Sequence, residues 1–349
     1  MGKATSFPAW WGLDREWILY ICKRLNLEIK VMIEGFRKSI QPFCGQDQGS
    51  TIKKRGGMMS INKVFVVGAG LMGSGIAQVC AQSGIEVILN DVNQEVVDKG
   101  LENIAWSVGK FIEKGKLSED KASVLGRIQT CKDLSMAAEA DLAIEVVFEK
   151  LDLKQEVFRK LDEICRLDTL LASNTSAIPI TELAAVVGRP EMVVGLHFFS
   201  PVPMMQAVEV IRGIGTSEET MEAGVDFIRR IGKEPIRVER DVPGFLLNRI
   251  NLVSYVEAIG LVEQGIGTIA DIDSGFRLAF GRKMGPFETG DMVGLDVSYG
   301  ALMAIYEESK DIRYYPPQLL RRKVKVGQLG RKTGRGWYEY DDSGKGKGD

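Results

Sequence analysis

The sequence predicts an α/β domain followed by an all-helical domain. Three observations carry this. Short Val- and Ile-rich apolar runs alternate with helical segments from residue 63 to about 240, a glycine-spaced turn joins the first run to the first helix, and no strand-like run recurs after Pro243. A chain of 349 residues also exceeds the size at which a single hydrophobic core stops growing.

"KVFVVGAG" from Lys63 is short and apolar, fit for a buried parallel strand, and "LMGSGIAQVCAQSG" continues it as a helix ending at Gly84. "EVILND" is a second strand. A helical region covers 94–126, with a break near "EKGKLS" where Ser118 is placed to cap the second arm of a helical hairpin. Further strands are expected in "DLAIEVV" (141–147), "LLASN" (170–174), "MVVGLHFF" (192–199), "AVEVI" (207–211) and "PIRVE" (235–239), mostly parallel at the start of the sheet. "GFLLNRINLVSYVEAIGLVEQG", "IADIDSGFRLAF", "LDVSYGALMAIYEES" and "PPQLLRRKVKVG" then read as successive helices. The expected division is 1–57, 58–240 and 241–349.

Segment 1–57 stands apart. It holds ten Lys or Arg against five acids, so a chain whose total charge is −2 carries its negative balance entirely after residue 57. Charged residues interrupt its apolar clusters well before the ~20 residues a membrane span needs, and a secretory leader's short apolar core and cleavage site are missing. A translation start placed too early, with Met58 or Met59 the true one, is the favoured reading. A loosely docked arm and a membrane-surface helix are the alternatives. With no basic stripe in the body of the chain, nucleic acid is not an expected partner, and neither is a membrane. Cys22, Cys44, Cys80, Cys131 and Cys165 show no metal or disulfide spacing, as expected of reduced thiols in a cytoplasmic protein.

Two motifs carry chemistry. In "GAGLMG", Gly68, Gly70 and Gly73 sit between strand and helix, with Leu71 and Met72 opening the helix. Such glycines allow a tight turn, close approach of backbone to a pyrophosphate, and close helix–strand packing. Asp91 follows 18 residues after Gly73, at the end of the next strand, where a carboxylate binds both adenosine ribose hydroxyls and repels a 2′-phosphate. With Val92 and Asn93 behind it instead of Arg, NAD is favoured over NADP, in a Rossmann-type domain. The second motif is "GLHFFSPVPMMQAVEVI", Gly195 to Ile211, which contains the chain's single histidine, His197, twelve residues before Glu209. An imidazole among apolar neighbours is commonly a hydrogen-bonded core group. With a carboxylate partner it is also a ready general base.

These segments, with "ASNTSAIPI", "DVPGFLLNRI", "GPFETGDMVGLDV" and "GRKTGRGWYEY", resemble the short-chain L-3-hydroxyacyl-CoA dehydrogenases, a family that includes the bacterial 3-hydroxybutyryl-CoA dehydrogenases. The resemblance runs from about Ile61 to Tyr340. It implies a Rossmann-type domain, a helical C-terminal domain through which subunits form homodimers, and an active site in the cleft between them. It places the catalytic base on His197, its partner on Glu209, a serine near the substrate hydroxyl on Ser176, and an active-site asparagine on Asn248. It places cofactor contacts on Asn174 and, near the nicotinamide ribose, on Glu149 and Lys154, while Ser107, Lys110 and Lys114 of the hairpin match positions that touch the CoA of an acyl-CoA substrate.

The sequence also departs from the family. Ser200 stands where many members have Asn, Gln206 and Ala207 stand where Lys and Leu are common, and Arg282 and Lys283 put cations beside a position usually small or apolar. The implied reaction is the interconversion of L-3-hydroxyacyl-CoA and 3-oxoacyl-CoA with NAD, on an acyl group that is short. A dehydrogenase of a free hydroxy acid or sugar acid, or of a dicarboxylic 3-hydroxyacyl-CoA, is the alternative activity. A non-catalytic NAD-binding protein is the alternative class, and retention of His197, Glu209, Ser176 and Asn248 together argues against it.

Overall fold

A computed structural model describes residues 60–341. The expectations placed on residues 1–57, and on Cys22 and Cys44 within them, lie outside the described residues. In the α/β part the elements run β1 (Lys63–Val67), α1 (Leu71–Gln82), β2 (Glu86–Asn90), α2 (Gln94–Glu113), α3 (Lys121–Leu125), β3 (Ile128–Cys131), β4 (Leu142–Glu145), α4 (Leu151–Ile164), β5 (Leu170–Ser173), α5 (Ile180–Ala184), β6 (Val193–Phe198), β7 (Ala207–Ile211), α6 (Glu218–Arg230) and β8 (Glu234–Val238).

The eight strands form one sheet in the order β3-β2-β1-β4-β5-β6-β7-β8. Pairing is parallel except between β6 and β7. Strand periodicity sends successive side chains to opposite faces, and β1 shows it. Val64 and Val66 join a core with Ile76 of α1, Ile104 of α2 and Met221 of α6. Phe65 and Val67 join another with Phe158 and Leu161 of α4 and Leu183 of α5. The sheet is therefore buried on both sides, the condition under which parallel strands read as continuous apolar runs. From β1 the sheet is wound outward to β3, then the chain crosses to β4, which creates the crevice at the carboxyl ends of the strands where such sheets bind ligands.

Five helices follow: α7 (Leu247–Glu263), α8 (Ile269–Phe280), α9 (Pro286–Val293), α10 (Leu295–Ser309) and α11 (Gln318–Lys325). Their core gathers Tyr255, Ile259, Phe287, Leu302 and Trp337. Two buried carboxylates fasten the last described segment to it. Asp273 accepts from the N–H groups of Phe287 (2.9 Å) and Glu288 (3.0 Å) and the Tyr338 hydroxyl (2.8 Å). Asp291 accepts from the N–H groups of Trp337 (2.8 Å) and Tyr338 (2.9 Å) and the Tyr340 hydroxyl (2.9 Å). Burial pushes both carboxyls upward, and these donors oppose it.

Three elements differ from expectation. The second arm of the hairpin is capped by Asp120, not Ser118: the Asp120 carboxylate accepts from the Ser123 N–H (2.9 Å) and hydroxyl (2.6 Å). Strand β3, unread in the sequence, is a four-residue edge strand, "IQTC", too short and polar to show a period. Helix α9 was hidden by the glycines that bracket it, although Pro286 at its first turn and Glu288, which accepts from the Gly285 N–H at 2.9 Å, are ordinary start signals.

Candidate active site

At the end of β1, Gly68 takes φ +107°, and a Cβ there would stand 2.7 Å from the Val146 carbonyl oxygen. A Cβ on Gly73 would stand 1.8 Å from the Gly68 carbonyl oxygen, so no other residue fits the turn. Gly70 differs. It caps α1 without a side chain, and a Cβ built on it meets nothing within 4 Å. The space beside Gly70, at the N-terminus of α1 where Leu71 is exposed, fits the diphosphate of a dinucleotide. Asp91, one residue past β2, accepts the Ala69 N–H at 3.0 Å with one oxygen and the Asn93 N–H at 3.1 Å with the other. The carboxylate is aimed by the glycine turn itself and keeps lone pairs for hydroxyl donors.

The end of β4 supplies a buried ionic network. Glu145 is fully buried and Lys154, from the first turn of α4, is 1% exposed. The Lys154 ammonium lies 2.8 and 3.0 Å from the two oxygens of Glu145, 3.2 Å from Glu149 and 3.3 Å from the Val147 carbonyl oxygen. The Ser173 hydroxyl donates to Glu145 at 2.7 Å. Glu149 in turn gathers the loop after β5, accepting from the Thr175 hydroxyl (2.6 Å), the Ser176 N–H (2.8 Å) and hydroxyl (3.3 Å), and the Ala177 N–H (3.0 Å). Burial alone would raise the Glu149 carboxyl, but the Lys154 charge and these donors outweigh it and hold it below the usual value. Lys154 therefore faces Glu145 and Glu149 instead of the open crevice. The sequence places both Glu149 and Lys154 near the nicotinamide ribose; of the two, Lys154 is 1% exposed, with its ammonium spent on these carboxylates.

His197 and Glu209 are directly opposed across the antiparallel β6–β7 pair. His197 Nδ1 lies 2.7 Å from Glu209 Oε2, with Glu209 fully buried and His197 5% exposed. The other Glu209 oxygen accepts the N–H groups of Leu246 (3.0 Å) and Leu247 (2.8 Å), at the start of α7. A helix N-terminus favours a carboxylate, and here it fixes which oxygen faces the imidazole. The imidazole packs against Phe199, at 4.5 Å between ring centroids, and Phe245, at 5.7 Å. Asn248 follows on the first turn of α7, and Asn174 accepts the N–H of Phe198, next to His197, at 2.8 Å. The structure thus links Asn174, His197, Glu209 and the start of α7 in one chain of contacts, and Ser176 to Glu149 in another. Ser107, Lys110 and Lys114 share α2 and its C-cap; Lys110 pairs with Glu113 at 2.7 Å, whereas the exposed Lys114 has no carboxylate partner among the described residues.

The chain matches the family model for the 3-hydroxyacyl-CoA dehydrogenase NAD-binding domain over residues 63–242 and that for the C-terminal domain over 244–340. It belongs to the 3-hydroxyacyl-CoA dehydrogenases. A probable 3-hydroxybutyryl-CoA dehydrogenase of Deinococcus radiodurans is 44% identical over 278 residues, which cover 80% of this chain and 100% of the relative. The 3-hydroxybutyryl-CoA dehydrogenase of Bradyrhizobium diazoefficiens is 40% identical over 281 residues, 80% of this chain and 96% of the relative. The crystal structure of (S)-3-hydroxybutyryl-CoA dehydrogenase from Ralstonia eutropha superposes with a TM-score of 0.78 at 42% identity, over 81% of this chain and 100% of that one. The enzyme is thus an NAD-dependent oxidoreductase with a Rossmann-type domain and a helical C-terminal domain.

Sequence reasoning missed Glu145, Ser173, Thr175 and Phe245 of this dehydrogenase. Glu145 did leave a signal: a lone charge inside "LAIEVV" has to find a partner once the strand is buried. Phe245 left none, since nothing in its side chain announces the φ of +45° that brings it against His197. Among the described residues no helix is long and apolar enough to cross a membrane.

Proposed function

We propose that the enzyme interconverts a short-chain L-3-hydroxyacyl-CoA, 3-hydroxybutyryl-CoA above all, and the corresponding 3-oxoacyl-CoA, with His197 as the general base. The single observation that carries the reading is the dyad. Glu209 holds His197 by Nδ1, so Nδ1 carries the hydrogen and Nε2 presents its lone pair. In the oxidising direction Nε2 takes the proton of the substrate hydroxyl, and Glu209 stabilises the imidazolium that forms. Bound NAD, held by Gly68, Gly70, Leu71, Met72, Gly73, Asp91, Asn174 and Glu149, supplies the hydride acceptor. Ser176 and Asn248 hold the reacting oxygens of the substrate, and Lys114, with Ser107 and Lys110, meets the phosphates of coenzyme A. Exposed apolar side chains of the helical domain, among them Ile250, Leu278 and Phe280, support assembly as a homodimer through that domain.

Turnover of NADH with acetoacetyl-CoA, longer 3-oxoacyl-CoAs, a dicarboxylic 3-oxoacyl-CoA and the free acids tests the substrate class. Acetoacetyl-CoA is expected to give the highest kcat/KM and the free acids negligible turnover; preference for the dicarboxylic ester would move the reading to Arg282 and Lys283. His197→Ala is expected to lose at least about 10²-fold in kcat with NADH affinity kept, the scale of a lost general base.

A further inference from the structure

Among the described residues of the α/β part, two buried cations are left unused by the chemistry above, Arg189 and Lys233, and Arg189 is paired with Asp162 at 2.9 Å. Lys233 directly precedes β8, is 7% exposed, and spends its ammonium on two backbone carbonyls: those of Val202 at 2.8 Å and Met205 at 2.6 Å. Among the described residues no carboxylate comes within ion-pair distance of it. Burial pushes its pKa down, with the Cys80 thiol as its titratable neighbour. A buried ammonium without a counter-ion is costly to keep, and an apolar side chain of the same length would fill the space at less cost. The two carbonyls belong to the loop from Phe199 to Gln206, which joins the strand of His197 to the strand of Glu209. The loop's middle is also fastened: Val202 is 2% exposed and packs on α1 so closely that a Cβ on Gly75 would lie 2.8 Å from the Val202 Cβ. Its first residue, Phe199, packs on the imidazole of His197.

We propose that Lys233 is a positioning residue for catalysis: it latches the 199–206 loop by two carbonyls and, through Phe199, sets the imidazole of His197. The proposal rests on His197 being the base. Glu209 aligns one edge of the ring through Nδ1, but a single hydrogen bond leaves the ring free to tilt about it. The rings of Phe199 and Phe245, 4.5 and 5.7 Å from the imidazole between centroids, limit that tilt. Phe245 is 1% exposed at the start of the helical domain, whereas Phe199 opens the loop that Lys233 holds by two carbonyls and Val202 by packing.

The chain's single histidine makes the test direct. Untagged protein grown with carbon-13-labelled histidine gives one imidazole signal, and that signal belongs to His197. Lys233→Met keeps the volume and removes the latch. The variant is expected to shift or split the imidazole signal, to lose about tenfold or more in kcat for acetoacetyl-CoA reduction, within the scale by which small misplacements slow a reaction, and to bind NADH as the parent does, since the glycine turn and Asp91 are untouched. An unmoved signal with unmoved kcat overturns the proposal; a moved signal with unmoved kcat overturns it too, since the latch would then have no part in turnover. The imidazole signal reads the latch without reference to activity, whereas His197→Ala reads the base assignment alone, so the two ideas fail separately. Should Lys233→Met not fold, Val202→Ala loosens the same loop at its other attachment, and signal and kcat must again move together with NADH affinity kept.

Discussion

Glu209→Gln replaces one oxygen of a fully buried carboxylate by an amide nitrogen, and the surroundings dictate which one. The Leu246 and Leu247 N–H groups, 3.0 and 2.8 Å from Oε1, are both donors, so the amide oxygen must stay with them. The opposite orientation would set an amide donor against two donors and leave them unsatisfied, at about 1–3 kcal/mol each. The amide nitrogen therefore takes the place of Oε2, 2.7 Å from His197 Nδ1. A donor there requires Nδ1 to be the unprotonated nitrogen, which moves the ring hydrogen to Nε2, the atom that receives the substrate proton in the proposed mechanism. The variant is folded, keeps both ring neighbours, and holds the wrong tautomer. In the Ser-His-Asp template the same error costs about 10⁴-fold. An alcohol is oxidised here without a nucleophile to activate, so a loss of about 10³-fold in kcat is expected, equivalent to about 4 kcal/mol of barrier. Oxidation of 3-hydroxybutyryl-CoA, followed by NADH formation, gives kcat, and NADH fluorescence titration gives cofactor affinity, which should change less than about threefold because no change reaches the glycine turn. A variant within about tenfold of the parent kcat would refute the tautomer argument and with it the role given to Glu209.

Asp91→Ala should weaken NADH binding and relax discrimination against NADPH, since a carboxylate held there by Ala69 and Asn93 is proposed both to bind the ribose hydroxyls and to repel a 2′-phosphate; a parent enzyme that already uses both cofactors equally would overturn this. Lys154→Met strands Glu145 in the core without its counter-ion and should cost about 3–5 kcal/mol in a urea titration at neutral pH. The lowered Glu149 carboxyl contributes stability that is present above the ordinary glutamate value and lost as pH falls through its own folded value. The gap between parent and Lys154→Met should therefore narrow on acidification below about pH 4, and a gap that widens would contradict it. Protein begun at Met59 should match the full chain in melting temperature and specific activity, because every residue assigned here lies after Ser60; a clear drop in either would make 1–57 structural.

How much of this could be read from the sequence follows from how local each constraint is. The glycine turn was legible because its three positions are demanded by backbone contacts within a few residues, Gly73 against Gly68 above all. The spacing of His197 and Glu209 was visible too, but not what the spacing does. Twelve residues bring the two side chains face to face only because β7 runs back against β6 with the loop of 199–206 between them, and the strand run alone does not say that β7 reverses. Glu145 depends on partners 9 and 28 residues away, Lys154 and Ser173, so no window of local pattern contains its reason. Asp120 displaced Ser118 as a cap by a choice between two competent residues two positions apart, which neither residue type decides.

The start of α7 explains why the site cannot belong to the α/β domain alone. Gly244 at φ +74°, where a Cβ would come within 2.5 Å of Ile305 of α10, lets the chain turn hard against the helical core. Phe245 then adopts φ +45° and lies against His197, the Leu246 and Leu247 N–H groups close on Glu209, and Asn248 comes next. Five consecutive residues thus pack the helical domain, lie against the imidazole, donate to its partner carboxylate and end on Asn248, the amide proposed to meet the substrate. The dyad sits in the sheet, but the donors that decide which Glu209 oxygen meets His197 come from the first turn of the second domain. A helix whose first free N–H groups are spent on a buried carboxylate cannot withdraw without leaving that charge uncompensated. The His197–Glu209 pair is therefore complete only when the two domains are docked, and the same helix carries Asn248, so the proposed base and the proposed substrate-binding amide are brought into register by one rigid element.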